Sequence, residues 1–198
     1  MTAKNSKPLF STQVLTRIAM LAAAASVLFL VEIPVVAFYK LDLSNIPVLL
    51  GAFSMGTAPG LVILALKSAI GLLQSSSAGV GELADLVMGA ALVVPASLIY
   101  HRHKTRKNAL LGMAVGTLCT AVAGVAVNKW IMLPFYMGAF HMDMEGILAY
   151  AKVSGVDSET KLLLLITGPF NLLKGLVLSI VTGLIYKPLS PLLHGRKG

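Results

Sequence analysis

Apolar residues run along this chain in long blocks separated by short polar clusters. The pattern is neither the strict alternation of a half-buried strand nor the one-sided stripe of a surface helix. Six blocks stand out, at 14–31, 46–56, 58–73, 82–100, 108–135 and 161–187. A helix that crosses a bilayer needs about 20 mostly apolar residues. Block 46–56 is too short to cross upright and predicts a short or tilted helix, hinged from the next at Gly56, Pro59 and Gly60. Between the blocks, 32–45 reads as a loop or partly inserted segment, 74–81 as a small-residue loop, 101–107 as a basic loop and 136–160 as a longer polar connection. Pro188 and Pro191 are read as ending the sixth helix. The N-terminus resembles a signal peptide, but its apolar run is long and meets Glu32 rather than a cleavage site, so it is read as a retained helix. The expected fold is an all-α integral membrane protein, a single domain of six transmembrane helices with tails at 1–10 and 192–198.

Composition agrees with a bilayer as solvent. Hydrophobic residues make up 57% of the chain and charged residues 12%, with a mean hydropathy of +0.85. A soluble domain carries roughly 25% charged residues, and one of this size has nowhere to hide so much apolar surface. Cys119 is the only cysteine, so no intrachain disulfide forms. The net charge of +8 is distributed by side of the membrane. Lys4, Lys7, Arg17, Arg102, Lys104, Arg106, Lys107, Lys187, Arg196 and Lys197 are 10 of the 16 basic residues, and six spans put them all on one face. The eight acids fall at or toward the other. Lys and Arg mark the cytoplasmic side, so both termini are expected in the cytoplasm of a multi-pass cell-membrane protein. This accounts for the charge without nucleic acid, for which the chain has no soluble basic domain or aromatic platform.

Ionisable groups inside a spanning helix face protein or water and are functional candidates by default. Helix four opens with Glu82 and Asp85, one turn apart on one face. Helix five carries Asn128 and Lys129, and helix six carries Asn171 and Lys174 within GPFNLLKG. Together these line a polar pocket, or each serves the bundle alone. Glu82 also suits the positive end of its helix dipole. Asp85 suits a neutralising partner for Lys67 or Lys174. Lys129 suits snorkelling to the interface, and Asn128 a helix-to-helix hydrogen bond. Lys174 is deep and needs a partner or a ligand. Lys67, also deep, is open between a structural role and ligand contact. The four histidines are scattered, so no metal site is expected. GPFNLLKG lacks the Gly before Lys and the Ser or Thr after it that a phosphate-binding loop requires. No nucleophile–base pair appears either, so the chain is not expected to be an enzyme or to hydrolyse ATP.

Several segments in order, KLDLSNIPVLLGAF (40–53), GVGELADLVMGAALVVPASLIY (79–100), NKWIMLPFY (128–136), PFNLLKG (169–175) and YKPLSPLL (186–193), carry a wider resemblance. The chain resembles the substrate-binding S components of energy-coupling factor vitamin transporters, most closely the riboflavin-specific type. The resemblance implies a six-helix protein that captures its vitamin from outside, joins a transmembrane coupling protein and two cytoplasmic ATPases, and carries the vitamin across by toppling in the membrane. No cofactor is implied; riboflavin is the transported ligand. By the same resemblance, Asn128, Asn171 and Lys174 match ligand-contacting positions, and Tyr39, Leu41, Asp42, Gly81 and Glu82 match the segments that close over the ligand. Ala19 and Ala23 match the small residues through which the family's first helix meets the coupling protein; packing within the bundle is the alternative. The family often has Asn where this chain has Asp85, which leaves the role of that position open. Rival expectations are an S component for pantothenate or thiamine, and a small membrane enzyme or assembly factor.

Overall fold

A computed structural model of the chain describes residues 10–36, 39–75, 77–139, 141–151 and 155–194, with the backbone alone for Tyr150 and 187–194. Lys4, Lys7, Arg196 and Lys197, and with them most of both expected tails, lie outside the described residues. Helix α1 (Thr12–Phe29) begins at Ser11, whose hydroxyl accepts the Val14 amide. A short hairpin follows, β1 (Ile33–Val36) antiparallel to β2 (Tyr39–Leu41), with Ile33 opposite Leu41 and Pro34 opposite Lys40. Then come α2 (Asn45–Met55), α3 (Thr57–Gly71), α4 (Val80–Arg102) and α5 (Arg106–Val127). A π-turn over Asn128–Met132 joins α5 to α6 (Leu133–Ala139). Helix α7 (Met144–Ala151) lies inside the 136–160 connection, and α8 (Glu159–Lys161) runs through a second π-segment, Leu162–Thr167, into α9 (Gly168–His194).

Among the described residues, five stretches are long and apolar enough to cross a membrane: Thr12–Phe29, Thr57–Gln74, Val80–Arg102, Arg106–Ala139 and Glu159–Tyr186. Helix α2 is the sixth and the short one. Side chains facing outward confirm the solvent. Leu118 and Val122 on α5 are 59% and 72% exposed, and Leu164, Ile180 and Leu184 face out from the last span. Apolar belts of this extent are compatible with lipid, not with water.

The short helix organises the interior. Every residue from Asn45 to Phe53 is buried, with α2 packed among α1, α3, α4 and α9. Its 11 residues rise only about 16 Å, roughly half of a bilayer core about 30 Å thick. The segment that leads into its N-terminus, with Tyr39, Lys40 and Asp42, lines a cavity at that end. Gly56 allows the tight turn into α3 with φ +114°, a conformation that side-chain-bearing residues rarely adopt.

Three readings need amendment. The segment 32–45, read as a loop or partly inserted segment, holds a hairpin, and α7 inside the polar connection buries Ile147 and Ala151 beside Tyr39, Leu133 and Leu162. The last helix does not stop at Pro188; helical backbone continues to His194. Proline removes one ladder bond, but its fixed φ near −65° is itself helical.

Candidate functional site

The cavity left above α2 measures about 170 Å³ and is lined from six elements, α1, the hairpin, α4, the π-turn after α5, α6 and α9. Tyr39 and Asp42 come from the hairpin and its exit, Gly81, Glu82 and Asp85 from α4, Asn128 from the π-turn after α5, and Asn171 and Lys174 from α9. Of the residues that the resemblance matches to ligand contact or to the closing segments, Leu41 alone is not among the lining residues and sits half-buried on β2; Lys67, left open to ligand contact, does not line the cavity either. Lys129 is exposed and points away, in keeping with the snorkelling alternative.

Each polar group is held in place locally. Asn128 and Asn171 both donate one amide hydrogen to the carbonyl four residues back, Gly124 at 2.8 Å and Thr167 at 2.9 Å. An amide has two donors and a carbonyl acceptor, so each keeps further capacity for the cavity. Asn128 opens the first π-segment and Asn171 follows the end of the second by four residues; a bond reaching one residue further rotates the face that follows, the Leu133 amide bonding the Asn128 carbonyl in the first and the Gly168 amide bonding Leu163 in the second. Such bulges concentrate at functional sites. Tyr39 locks the hairpin onto this end. Its hydroxyl is hydrogen-bonded with Thr167, donates to Asn128 Oδ1 at 3.5 Å, and its ring lies 5.1 Å from that of Phe170. Burial pushes the Tyr39 phenol up to about 12, with the Thr167 bond offsetting only part of the rise, so it stays a neutral hydrogen-bonding group.

Opposite charges sit at the cavity floor. Lys174 Nζ lies 2.6 Å from Asp42 Oδ2 and 4.0 Å from Asp85 Oδ1. Burial acts to raise the Asp42 carboxyl, but Lys174 and then Lys67, with hydrogen bonds from Lys174 and Ser44, outweigh it and hold it down at about 2. Asp42 is therefore a carboxylate at neutral pH, tying the hairpin to α9. Asp85 pairs with Lys67 at 2.6 Å, so both proposed partners of Asp85 are near it and Lys67 is the closer. Glu82 is buried in the first turn of α4 without capping it; its carboxylate accepts from Ser75 at 2.8 Å and Ser77 at 3.4 Å. Among the described residues no group of three or more His, Cys, Asp or Glu side chains gathers to hold a metal.

Sequence reasoning missed the walls. Phe29, Ala84, Met88, Met132, Tyr136 and Phe170 form the apolar lining, and Glu32, Lys40 and Ser77 the polar rim. Helical spacing points to some of them. Met88 follows Asp85 by three residues, Met132 follows Asn128 by four, and Phe170 precedes Asn171. Phe29 and the Glu32–Lys40 ion pair carry no such signal, because the turn back into the hairpin places them.

The arrangement is a roofed pocket with apolar walls, amides on two sides and balanced charge below. It suits a flat molecule of mixed polarity. Residues 13–186 match the family model described as "ECF transporter, substrate-specific component". The chain belongs to that family. Family membership makes it a component of a multi-pass membrane transporter rather than an enzyme. It is 30% identical over 180 residues to "Riboflavin transporter RibU" of Staphylococcus aureus (strain TCH60), covering 89% of each chain. It is 25% identical over 188 residues to "Riboflavin transporter FmnP" of Bacillus subtilis (strain 168), covering 91% of this chain and 93% of the relative. A solved structure described as "Structure and mechanism of the S component of a bacterial ECF transporter" superposes with a TM-score of 0.71 at 26% identity, over 92% of this chain and 98% of the other. The substrate-specific component thus has the fold expected of its family, with the short second helix beneath the cavity.

Proposed function

We propose that this substrate-specific component captures riboflavin and delivers it through an ATP-driven energy-coupling complex. The observation that carries the reading is the convergence of Asn128, Asn171 and Lys174 with the Phe170 and Tyr136 rings on one cavity, in a chain similar to proteins named riboflavin transporters. The chemistry is complementary. The flavin's pyrimidine edge offers carbonyl acceptors and an N–H, matched by amides that both donate and accept and by a lysine that donates. Its ring system calls for flat apolar walls, and the ribityl hydroxyls for polar groups at the rim. Riboflavin is the transported ligand, and no cofactor is assigned to the chain.

The energy comes from outside the chain. We assign it a transmembrane coupling protein and two cytoplasmic ATPases as partners. Ala19 and Ala23 support this assignment because both are exposed, whereas Ala22 and Ala25 of the same helix turn inward with 3% and 0% exposure. Small residues on an outer face admit a second helix at close range. The cavity opens outward and both termini are cytoplasmic, as the one-sided Lys and Arg distribution indicates.

The test is uptake of labelled riboflavin by cells that lack their own riboflavin transport. Uptake is expected when the chain is produced with a coupling protein and its ATPases, and not with an ATPase variant unable to hydrolyse ATP. Uptake of thiamine or pantothenate in place of riboflavin would replace the assigned vitamin.

A further inference from the structure

Among the described residues Lys67 is the most deeply buried charge, with 0% exposure, yet it does not line the cavity. It sits on α3 with its ammonium facing three oxygens: Asp85 Oδ2 at 2.6 Å, Asn45 Oδ1 at 2.9 Å and the Ser44 hydroxyl at 3.0 Å. The Phe29 ring closes another side, its centroid 5.1 Å away. Two of its N–H groups donate, to Asn45 and Ser44, while Asp85 Oδ2 is held as an ion-pair partner without an aligned hydrogen bond.

Two of those oxygens lead back to the ligand-facing lysine. Ser44 passes its hydroxyl proton to a hydrogen bond with Asp42 Oδ1, and Asp42 Oδ2 accepts from Lys174 at 2.6 Å. Asp85, neutralised by Lys67, presents its other oxygen 4.0 Å from Lys174. The result is a closed ring of Lys67, Ser44, Asp42, Lys174 and Asp85, drawn from α3, the N-cap of α2, the hairpin's exit, α9 and α4. Its formal charge is zero. We infer that Lys67 is a positioning residue: by neutralising Asp85 and holding Ser44, it fixes Lys174 between Asp42 and the cavity instead of letting it collapse onto Asp85. Without Lys67 the nearest cation to the Asp85 carboxylate is Lys174, and a buried unpaired charge is costly enough to move it. Without Asp85 the freed ammonium of Lys67 competes with Lys174 for Asp42. With neither charge, the Asp42–Lys174 pair stands undisturbed.

The inference rests on the riboflavin reading, and one experiment separates the two. Wild type, Lys67→Met, Asp85→Asn and the double variant are purified in detergent, melted without ligand and titrated with riboflavin by quenching of flavin fluorescence. Wild-type protein that does not bind riboflavin overturns the ligand reading and this inference together. Given wild-type binding, each single variant is expected to bind about tenfold more weakly, and the double about tenfold more tightly than either single, as coupled neighbours do. A merely structural lysine lowers melting temperature while the folded protein keeps its affinity, and predicts no recovery in the double. Unchanged affinity in Lys67→Met, or a double no better than the singles, overturns the positioning role alone. Ser44→Ala changes one hydroxyl and no charge, and reads the same ring if a charge variant does not insert. A loss of about threefold to tenfold is expected from one hydrogen bond, and wild-type affinity there overturns the role.

Discussion

In the proposed site Lys174 is the residue on which recognition is expected to turn, because it is buried, paired with Asp42 and part of the cavity lining. Lys174→Met keeps the apolar stem and removes the ammonium. Riboflavin affinity is expected to fall by about 1.5–3 kcal/mol, roughly tenfold to a hundredfold, as for loss of a hydrogen bond to a charged group. Lys174→Arg should restore little, since a planar fork does not replace a compact ammonium. Fluorescence titration reads both, and unchanged affinity in Lys174→Met and Asn171→Ala would remove α9 from the site. The Asp42 carboxyl sets a pH limit. Its folded value is held at about 2, below the unfolded value of about 4. Its stabilising contribution is therefore complete above about pH 4 and is lost as pH falls toward 2. Melting temperature measured down that range should fall in wild type and fall less in Asp42→Asn. The polar residues of this site were legible in the sequence because ionisable groups and amides are conspicuous in apolar helices. The pairing was only half legible: Lys67 and Lys174 were both open as partners of Asp85, and only three-dimensional distance ranks them.

At the scale of elements, glycine and the π-turns set where the amides point. A Cβ on Gly124 would lie 2.6 Å from Asn171 Cγ, too close for both to remain. Gly124→Ala raises helix propensity by about 1 kcal/mol, so the helix should persist while Asn171 is displaced. Riboflavin affinity is expected to drop about as far as in Asn171→Ala, with far-ultraviolet circular dichroism unchanged. Wild-type affinity in Gly124→Ala would show that Asn171 does not need its present position. The helices could be read from block length alone. The hairpin could not, since Ile33–Val36 and Tyr39–Leu41 are short and are set by the Tyr39 anchor on α9's approach rather than by alternation. Nor could the π-turns, which have no compositional mark and differ from α-helix by one residue in a hydrogen bond. Helix α7 was hidden for a related reason: its apolar face is short and packs on a distant cluster, so locally it reads as connection.

At the scale of the whole molecule, the proposed function assigns different work to two faces, ligand capture to the end under the hairpin and coupling-protein contact to the flank on α1. Ala19→Leu and Ala23→Leu add bulk to exposed positions, so they are expected to abolish or strongly impair uptake while riboflavin binding to the isolated protein stays near wild type. Equal loss of binding would place these alanines in the bundle's own packing. Orientation is tested in a Cys119→Ala background by comparing Lys104→Cys with Asp157→Cys. A membrane-impermeant thiol reagent added to intact cells should label the second and not the first; labelling of both would overturn the topology. The central claim, that the cavity above α2 is a riboflavin site, is tested most directly by titrating the purified wild-type protein with riboflavin and following flavin fluorescence. The account predicts saturable quenching at one riboflavin per chain, undiminished by excess thiamine or pantothenate. Absence of quenching by correctly folded protein, or displacement of riboflavin by either of those vitamins, would contradict it.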